Sequence, residues 1–347
     1  MNAISIIRPD DWHLHVRDGA MLRAVLMASA ASFGRAIIMP NLKVPVTTAA
    51  RAATYRQEIL AALTPGTVFV PLMTCYLTDQ TDVDDLATGH RDGVFTAAKL
   101  YPAHATTNSE HGVTDLRRIY PVLERMQKIG MPLLLHGEVT TASVDIFDRE
   151  KVFLDQVLTG LLRDFPALKI VLEHATTKDA VDFVRAHAGT GRLAATITAH
   201  HLHIDRNAML VGGIRPHYYC LPIAKRATHR LALIEAATSG AACFFLGTDS
   251  APHPRALKES ACGCAGIFTA PLALPLYAEI FDRAGRLDRL EAFASRYGAQ
   301  FYGLPVNSGT IRLRKTAEPL PGLSCVGADE VIPFVSPEPV HWEVTSV

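Results

Sequence analysis

Short apolar runs recur along the chain, separated by longer stretches whose apolar positions repeat at helical spacing. The first run is Asp10-Asp11-Trp12-His13-Leu14-His15-Val16-Arg17, where apolar and functional residues alternate. A strand sends every second side chain to one face, so His13, His15 and Arg17 are expected on one face and Leu14 and Val16 on the other. Seven further strands are predicted over 36–39, 67–73, 94–100, 131–136, 168–174, 193–198 and 242–249. Helical stretches lie between most of them. Residues 21–33 carry Leu22, Val25, Leu26 and Met27 at helical spacing, and 47–63 and 113–129 also read as helices. Strands apolar on both faces and joined by helical crossovers belong to a parallel sheet buried on both sides. Eight such units closed on themselves make an α/β fold, the (β/α)8 TIM barrel of roughly 250 residues. An open doubly wound sheet fits less well, because no Gly-x-Gly-x-x-Gly follows a strand and no Gly-Lys-Ser/Thr loop occurs. Residues 269–284 and 287–302 are expected to be helices that finish the barrel. Beyond residue 304 the chain turns extended, with Pro305, Pro319, Pro321, Pro333, Pro337 and Pro339. The expectation is a single domain over 1–347, with 304–347 as a tail packed on the barrel.

Composition changes this picture in three ways. With 347 residues and 49% hydrophobic content the chain can bury a large core. Its formal net charge is +0 and it has no Lys/Arg run, so no nucleic-acid partner is expected. No apolar run approaches the roughly 20 residues that span a bilayer, and Arg8, Pro9, Asp10 and Asp11 interrupt any secretory apolar region. Six scattered cysteines fit reduced thiols and a cytoplasmic location. Cys262-Gly-Cys264 lacks Cys-x-x-Cys spacing and is expected to hold no ligand. Fifteen histidines are the one unusual feature.

In a barrel of this kind the active site lies at the C-terminal ends of the strands. Those ends carry His13 and His15, Asn41, Lys99, His136, His174 and Asp249. A histidine ending one apolar strand is ordinary, but five metal-binding side chains and a lysine on one rim are not. Two imidazoles at i and i+2 reach a single cation through bonds of roughly 2 Å. Arg17, one step further, is placed to hold an anionic substrate. Lys99 is the puzzle, since an ammonium among metal ligands is repelled by cations and costly to bury. It can lose its proton and act as a Schiff-base nucleophile. Alternatively its amine takes up CO2, giving an N-carboxylated lysine whose oxygens bridge two metals. Four neutral histidines and one aspartate supply little anionic charge for two divalent ions, which favours the carbamate.

His13-x-His15, Lys99, His136, His174 and Asp249 together resemble the signature of amidohydrolase-superfamily members with a binuclear metal centre. Longer strings are more specific. Residues 8–19, Met39-Pro40-Asn41, Lys99-Leu100-Tyr101-Pro102, Tyr219-Cys220-Leu221-Pro222, residues 247–253 and residues 258–266 are similar to the dihydroorotases of the short, stand-alone bacterial type. The likeness covers nearly the whole chain. It implies two Zn2+ per subunit, one held by His13, His15 and Asp249 and the other by His136 and His174. Lys99, as N6-carboxylysine, and a hydroxide would bridge them. The implied reaction is the reversible cyclisation of N-carbamoyl-L-aspartate to L-dihydroorotate in de novo pyrimidine biosynthesis, with Asp249 as catalytic base and then acid. The resemblance further implies substrate contacts from Arg17, Asn41, His136, His253 and the backbone at Leu221 and Ala265, a mobile loop bearing Thr106 and Thr107, and a homodimer. His200-His201-x-His203 follows the seventh strand, where this family places no ligands. It is expected to be a loop supporting other residues, with His201 nearest to a ligand's hydrogen bonds. His90, His104, His187, His229 and His341 are expected at the surface. Two other readings compete. A hydantoinase or dihydropyrimidinase would share the ligands, but normally lacks Arg17 and the Gly-Thr-Asp-Ser-Ala-Pro-His string and adds a small β domain, which is expected to be absent here. A metal-free relative typically loses a ligand, whereas all six are present.

Overall fold

The apolar runs become parallel strands whose alternate side chains divide into an inner and an outer core. The computed structural model describes residues 2–345. It begins with β1 (Ala3–Ile7) and then lays down eight barrel strands: β2 (Asp10–Leu14), β3 (Arg35–Ile38), β4 (Val70–Tyr76), β5 (Phe95–Leu100), β6 (Leu133–His136), β7 (Ile170–Glu173), β8 (Leu193–Ile197) and β9 (Phe244–Leu246). These run in sequence order as one eight-stranded sheet, each pair parallel. Helices fill the crossovers, and several begin where a side chain accepts from free backbone N–H groups, as Thr48, Asp82 and Thr177 do. The seam between β9 and β2 closes through backbone and side chain. Asp249 N donates to the His13 carbonyl (2.9 Å) and His15 N to the Ser250 carbonyl (3.2 Å). The Thr248 amide and hydroxyl donate to the two oxygens of buried Asp11 (2.8 and 2.6 Å).

Leu134 points inward while Leu133 and Leu135 point out to the helices, and Val171 stands in the same relation to Ile170 and Leu172. Trp12, Ile37, Met39, Ala97, Leu134 and Phe245 share the inner cluster. The last helix, Tyr297–Tyr302, covers that cluster, with Tyr302 stacked on Trp12 at 4.5 Å between ring centroids.

The structure departs from the sequence-based expectation in four places. β2 ends at Leu14 after a register shift between Asp11 and Leu14, so Arg17 is not a strand residue. The eighth barrel strand stops at Leu246, because Gly247 passes so close to β8 that a Cβ there would lie 2.7 Å from that of Thr196. Residues 287–302 form a 3-10 turn, a π turn and a short α-helix instead of one helix. The tail is only partly extended. Within it, β10 (Thr310–Lys315) pairs with β1, and β11 (Trp342–Thr345) pairs with β10, giving a three-stranded antiparallel sheet. The expectation that no small β addition is present is therefore corrected: one is built from both ends of the chain. Val340 and Trp342 are buried in the outer core.

Candidate active site

Strand alternation places the polar rim. Two residues beyond inner-cluster Ala97, Leu134, Val171 and Ala194 stand Lys99, His136, Glu173 and Thr196, all buried. Alternation alone would turn His174 outward. Instead His174 and Asp249 have φ of 43° and 44°, left-handed values uncommon outside glycine, and both line the pocket. Backbone strain of this kind costs on the order of 1–3 kcal/mol per residue and persists where its surroundings fix it.

His13 Nε2, His15 Nε2 and Asp249 Oδ1 form a triangle with edges of 3.2, 3.3 and 3.1 Å. Such edges suit one face of a tetrahedron around a cation with bonds of roughly 2 Å. A Glu173 oxygen lies 2.8 Å from His13 Nδ1 and accepts from the Thr196 hydroxyl at 2.7 Å, leaving Nε2 of His13 aimed at the site. The same Thr196 oxygen accepts from the His174 amide. On the far side His136 Nε2 lies 2.8 Å from a Glu138 oxygen. The ring of His174 is centred 5.0 Å from that of His13 and 4.8 Å from that of His136. Donor atoms of His13, His174 and Asp249 fall within 4.8 Å of one another. Lys99 has no exposed surface, and among the described residues its Nζ has no hydrogen-bond partner. His174 Nδ1 and one oxygen each of Glu138, Glu173 and Asn41 are likewise buried and unpartnered. Each such atom costs about 1–3 kcal/mol. Their gathering at one mouth fits a place completed by a ligand.

The charges follow from burial and neighbours. Burial lowers the pKa of His13, but the Glu173 and Asp249 carboxylates outweigh it and raise the value. Burial takes His15 down to about 3 and His174 well below its usual range. It brings Lys99 down to about 8 against the pull of Glu173 and Asp249. For Asp249 burial opposes ionisation, yet His13 and the imidazole hydrogen bonds hold it well below the usual carboxylate range. Imidazoles of His15 and His174 held neutral, a Lys99 amine whose proton is loosened and an ionised Asp249 make a donor set suited to cations.

Eleven of the thirteen residues singled out from the sequence line this one pocket. The other two, Lys99 and His253, adjoin it: Lys99 is sealed beneath the rim, and His253 Nε2 lies 3.0 Å from Arg17 Nη2. Arg17 reaches the pocket through a left-handed turn (φ 58°), and its Nε donates to the Pro252 carbonyl at 3.0 Å. The Tyr55 hydroxyl donates to the Arg17 carbonyl at 2.5 Å. The Thr106–Thr107 segment is folded over the pocket. Asn41 Nδ2 donates to the Thr107 carbonyl (3.2 Å) and the Thr107 hydroxyl to the Ala265 carbonyl (3.4 Å). Lys258 was quoted only within a motif, yet its buried Nζ donates to the carbonyls of Tyr219, Cys264 and Gly266 at 2.8, 2.7 and 2.9 Å. It clamps together the two loops that carry Leu221 and Ala265. Glu138 and Glu173 were not singled out at all. For Glu173 a signal existed, since it lies two residues after inward-facing Val171. His200, His201 and His203 lie on a fully buried short helix, Ala199–His203, not a loop, because Thr198 caps it. None of the three lines the pocket.

A parallel barrel whose strand ends converge histidines, a buried lysine and an aspartate on one mouth is the architecture of metal-dependent amide hydrolases, and the chain belongs to the amidohydrolase family, whose model matches residues 5–318. Within it the chain groups with the dihydroorotases. It is 59% identical over 340 residues to the dihydroorotase of Cupriavidus necator, covering 98% of each chain. The structure of dihydroorotase from Saccharomyces cerevisiae in complex with 5-fluoroorotic acid superposes with a TM-score of 0.90 at 33% identity, covering 99% of each chain. The L-hydantoinase of Arthrobacter aurescens has a TM-score of 0.81 at 15% identity, over 98% of this chain and 82% of that one, and shares the fold alone.

Proposed function

We propose that the protein catalyses the reversible cyclisation of N-carbamoyl-L-aspartate to L-dihydroorotate in pyrimidine biosynthesis. The observation that carries the reading is the placing of Arg17 in one pocket with the His13–His15–Asp249 triangle, with His253 against its guanidinium from just outside. Both substrate and product keep a carboxylate away from the reacting carbon, and a guanidinium matches it in a fork.

The donor set fits two divalent cations, with Zn2+ the natural choice for imidazole and carboxylate. His13, His15 and Asp249 would hold one and His136 and His174 the other. Lys99 would bridge them as N6-carboxylysine. Its burial supports this, because a neutral amine is needed to take up CO2 and the ammonium is already weakened. When bound, the cations supply an activated water at neutral pH and polarise the ring carbonyl.

The chain's own residues do the rest. In the hydrolytic direction Asp249 accepts a proton on a carboxylate oxygen and delivers it to the departing amide nitrogen. In the synthetic direction it takes that proton from the carbamoyl nitrogen. Glu173 holds His13, and Glu138 holds His136, each fixing which ring nitrogen faces the site. Arg17 orients the substrate carboxylate, held from behind by the Pro252 carbonyl and His253. Asn41 and the backbone at Leu221 and Ala265 frame the ring. The Thr106–Thr107 loop acts as a mobile lid that excludes water. A cytoplasmic homodimer completes the reading. Leu210, Val211 and Ile214 expose three apolar side chains close together, a surface a second copy could cover.

Turnover of dihydroorotate, followed by its ultraviolet absorbance with zinc and bicarbonate present, tests the reaction, with dihydrouracil and hydantoin as competing substrates. Inert wild-type protein, or preference for an uncharged ring, would overturn the proposal.

A further inference from the structure

Behind the pocket, the helix Ala199–His203 and the segment Tyr219–Pro222 bring His200, His201 and Cys220 together, with one donor atom of each within 4.8 Å of the others. All three side chains are buried, and Cys220 is a free thiol. We propose that these residues form a second metal site, distinct from the catalytic donor set, that takes a thiophilic divalent cation, Zn2+.

The donor chemistry is the first ground. Two imidazoles and a thiolate select soft and borderline cations. Bonds of about 2.3 Å to sulfur and about 2.0 Å to nitrogen at tetrahedral angles put the two donors about 3.5 Å apart. Cys220 Sγ and His201 Nε2 are 3.5 Å apart. The Pro222 carbonyl oxygen lies 3.0 Å from that nitrogen and 3.4 Å from the sulfur, so an oxygen donor stands beside the pair.

His200 is the second and independent ground. Both of its ring nitrogens are buried and, among the described residues, have no hydrogen-bond partner. Its neighbours on the helix are satisfied. His201 bonds Thr198 Oγ1 and the Pro222 carbonyl, and His203 bonds Ser336 Oγ and the Leu276 carbonyl. A buried imidazole with neither nitrogen engaged leaves two polar atoms desolvated without compensation, and coordination would satisfy one of them. Metal entry releases the Cys220 thiol proton to solvent. The His201 proton moves from Nε2 to Nδ1, where Thr198 Oγ1 can accept it. The site would tie the helix after β8 to the segment carrying Leu221, and so brace a wall of the substrate pocket.

The catalytic donor set contains no sulfur, so sulfur ligation separates this site from it whether or not the proposed reaction is correct. The full-length Cys262→Ser/Cys264→Ser variant, which lacks the exposed Cys-x-Cys pair, is loaded with Co2+ in place of Zn2+. The expected result is a near-ultraviolet thiolate-to-cobalt charge-transfer band that is lost in the added Cys220→Ser variant and weakened in His200→Gln. Absence of the band, or its persistence after Cys220→Ser, overturns the proposal. X-ray absorption at the zinc edge on the same zinc-loaded protein, with Cys220 intact, is free of any folding defect in the Cys220 variant. Zinc–sulfur scattering supports the site, and its absence refutes it.

Discussion

Arg17 is held from several sides and, among the described residues, has no ion pair. Its Nε is bonded to the Pro252 carbonyl, its Nη2 faces His253, and its backbone carbonyl accepts from Tyr55. Burial lowers its pKa, a cost relieved when a carboxylate arrives. Arg17→Lys keeps the charge but loses the fork. A charge-assisted hydrogen bond is worth about 1.5–3 kcal/mol, so KM for dihydroorotate should rise roughly 10- to 100-fold. The change in kcat should be smaller, and steady-state kinetics read the split. Lys99 can be tested by mass alone. Intact-protein spectrometry without acid should show one CO2 added in the wild type and none in Lys99→Ala, which should also lose bound metal. A wild-type mass without the adduct, measured with zinc and bicarbonate present, would remove the bridge. The residues legible in the sequence were those that strand ends present directly. His174 occupied the right position for a reason that alternation does not supply, since it needs a left-handed backbone to turn inward, whereas Asp249 keeps the parity of inward-facing Phe245. Glu138 escaped notice because a carboxylate that orients a histidine has no sequence pattern of its own, whereas Glu173, two residues after inward-facing Val171, could have been found by strand alternation.

At the scale of elements, the site depends on loops that buried charges hold in place. Glu150 accepts from the amides and hydroxyls of both Thr176 and Thr177, the turn that follows His174 and leads into the helix Lys178–His187. Truncation would strand four buried donors. With each orphaned group costing about 1–3 kcal/mol before relaxation, Glu150→Ala should lose at least about 3 kcal/mol, measured by urea unfolding. Glu150→Gln should recover part of it. Lys258 does for the pocket's other wall what Glu150 does for this turn, donating all three ammonium protons to carbonyls of two loops. Lys258→Met should lower kcat/KM about tenfold or more, equivalent to about 1.4 kcal/mol of transition-state stabilisation. Content of the catalytic metals should stay unchanged, since none of their proposed ligands lies on the two loops that Lys258 holds. A kcat/KM equal to that of the wild type would show that the loops hold without it. Elements with strong local periodicity, such as β5 and β6, were legible almost to the residue. The π turn Ala292–Arg296 was not, because packing under the barrel, not spacing, decides it.

For the whole molecule, topology determines both what the sequence disclosed and what holds the barrel shut. Eight apolar runs separated by crossovers left few alternatives to a closed parallel sheet. The three-stranded sheet was hidden because β1 and β10 come from opposite ends of the chain and each is too short to announce itself, although Ile311 and Leu313 alternate with exposed neighbours. The barrel closes at the β9–β2 seam through Asp11 and Thr248, whose hydrogen bonds are made by the chain itself. The proposed cations add a second set of ties, because their ligands stand at the ends of β2, β5, β6, β7 and β9, spread over most of the chain. A cation that binds only the folded state stabilises it by about 3–4 kcal/mol at 100 to 1,000 times its dissociation constant. Chelation should therefore lower the melting temperature by several degrees while leaving far-ultraviolet circular dichroism at room temperature unchanged, and added Zn2+ should restore it. Asp11→Asn acts on the other tie, so it should lower the melting temperature of chelated and zinc-loaded protein alike. Equal melting temperatures with and without the metals would mean that the rim ligands are held entirely by the seam and by Glu138 and Glu173, and that the cations serve chemistry without serving the fold.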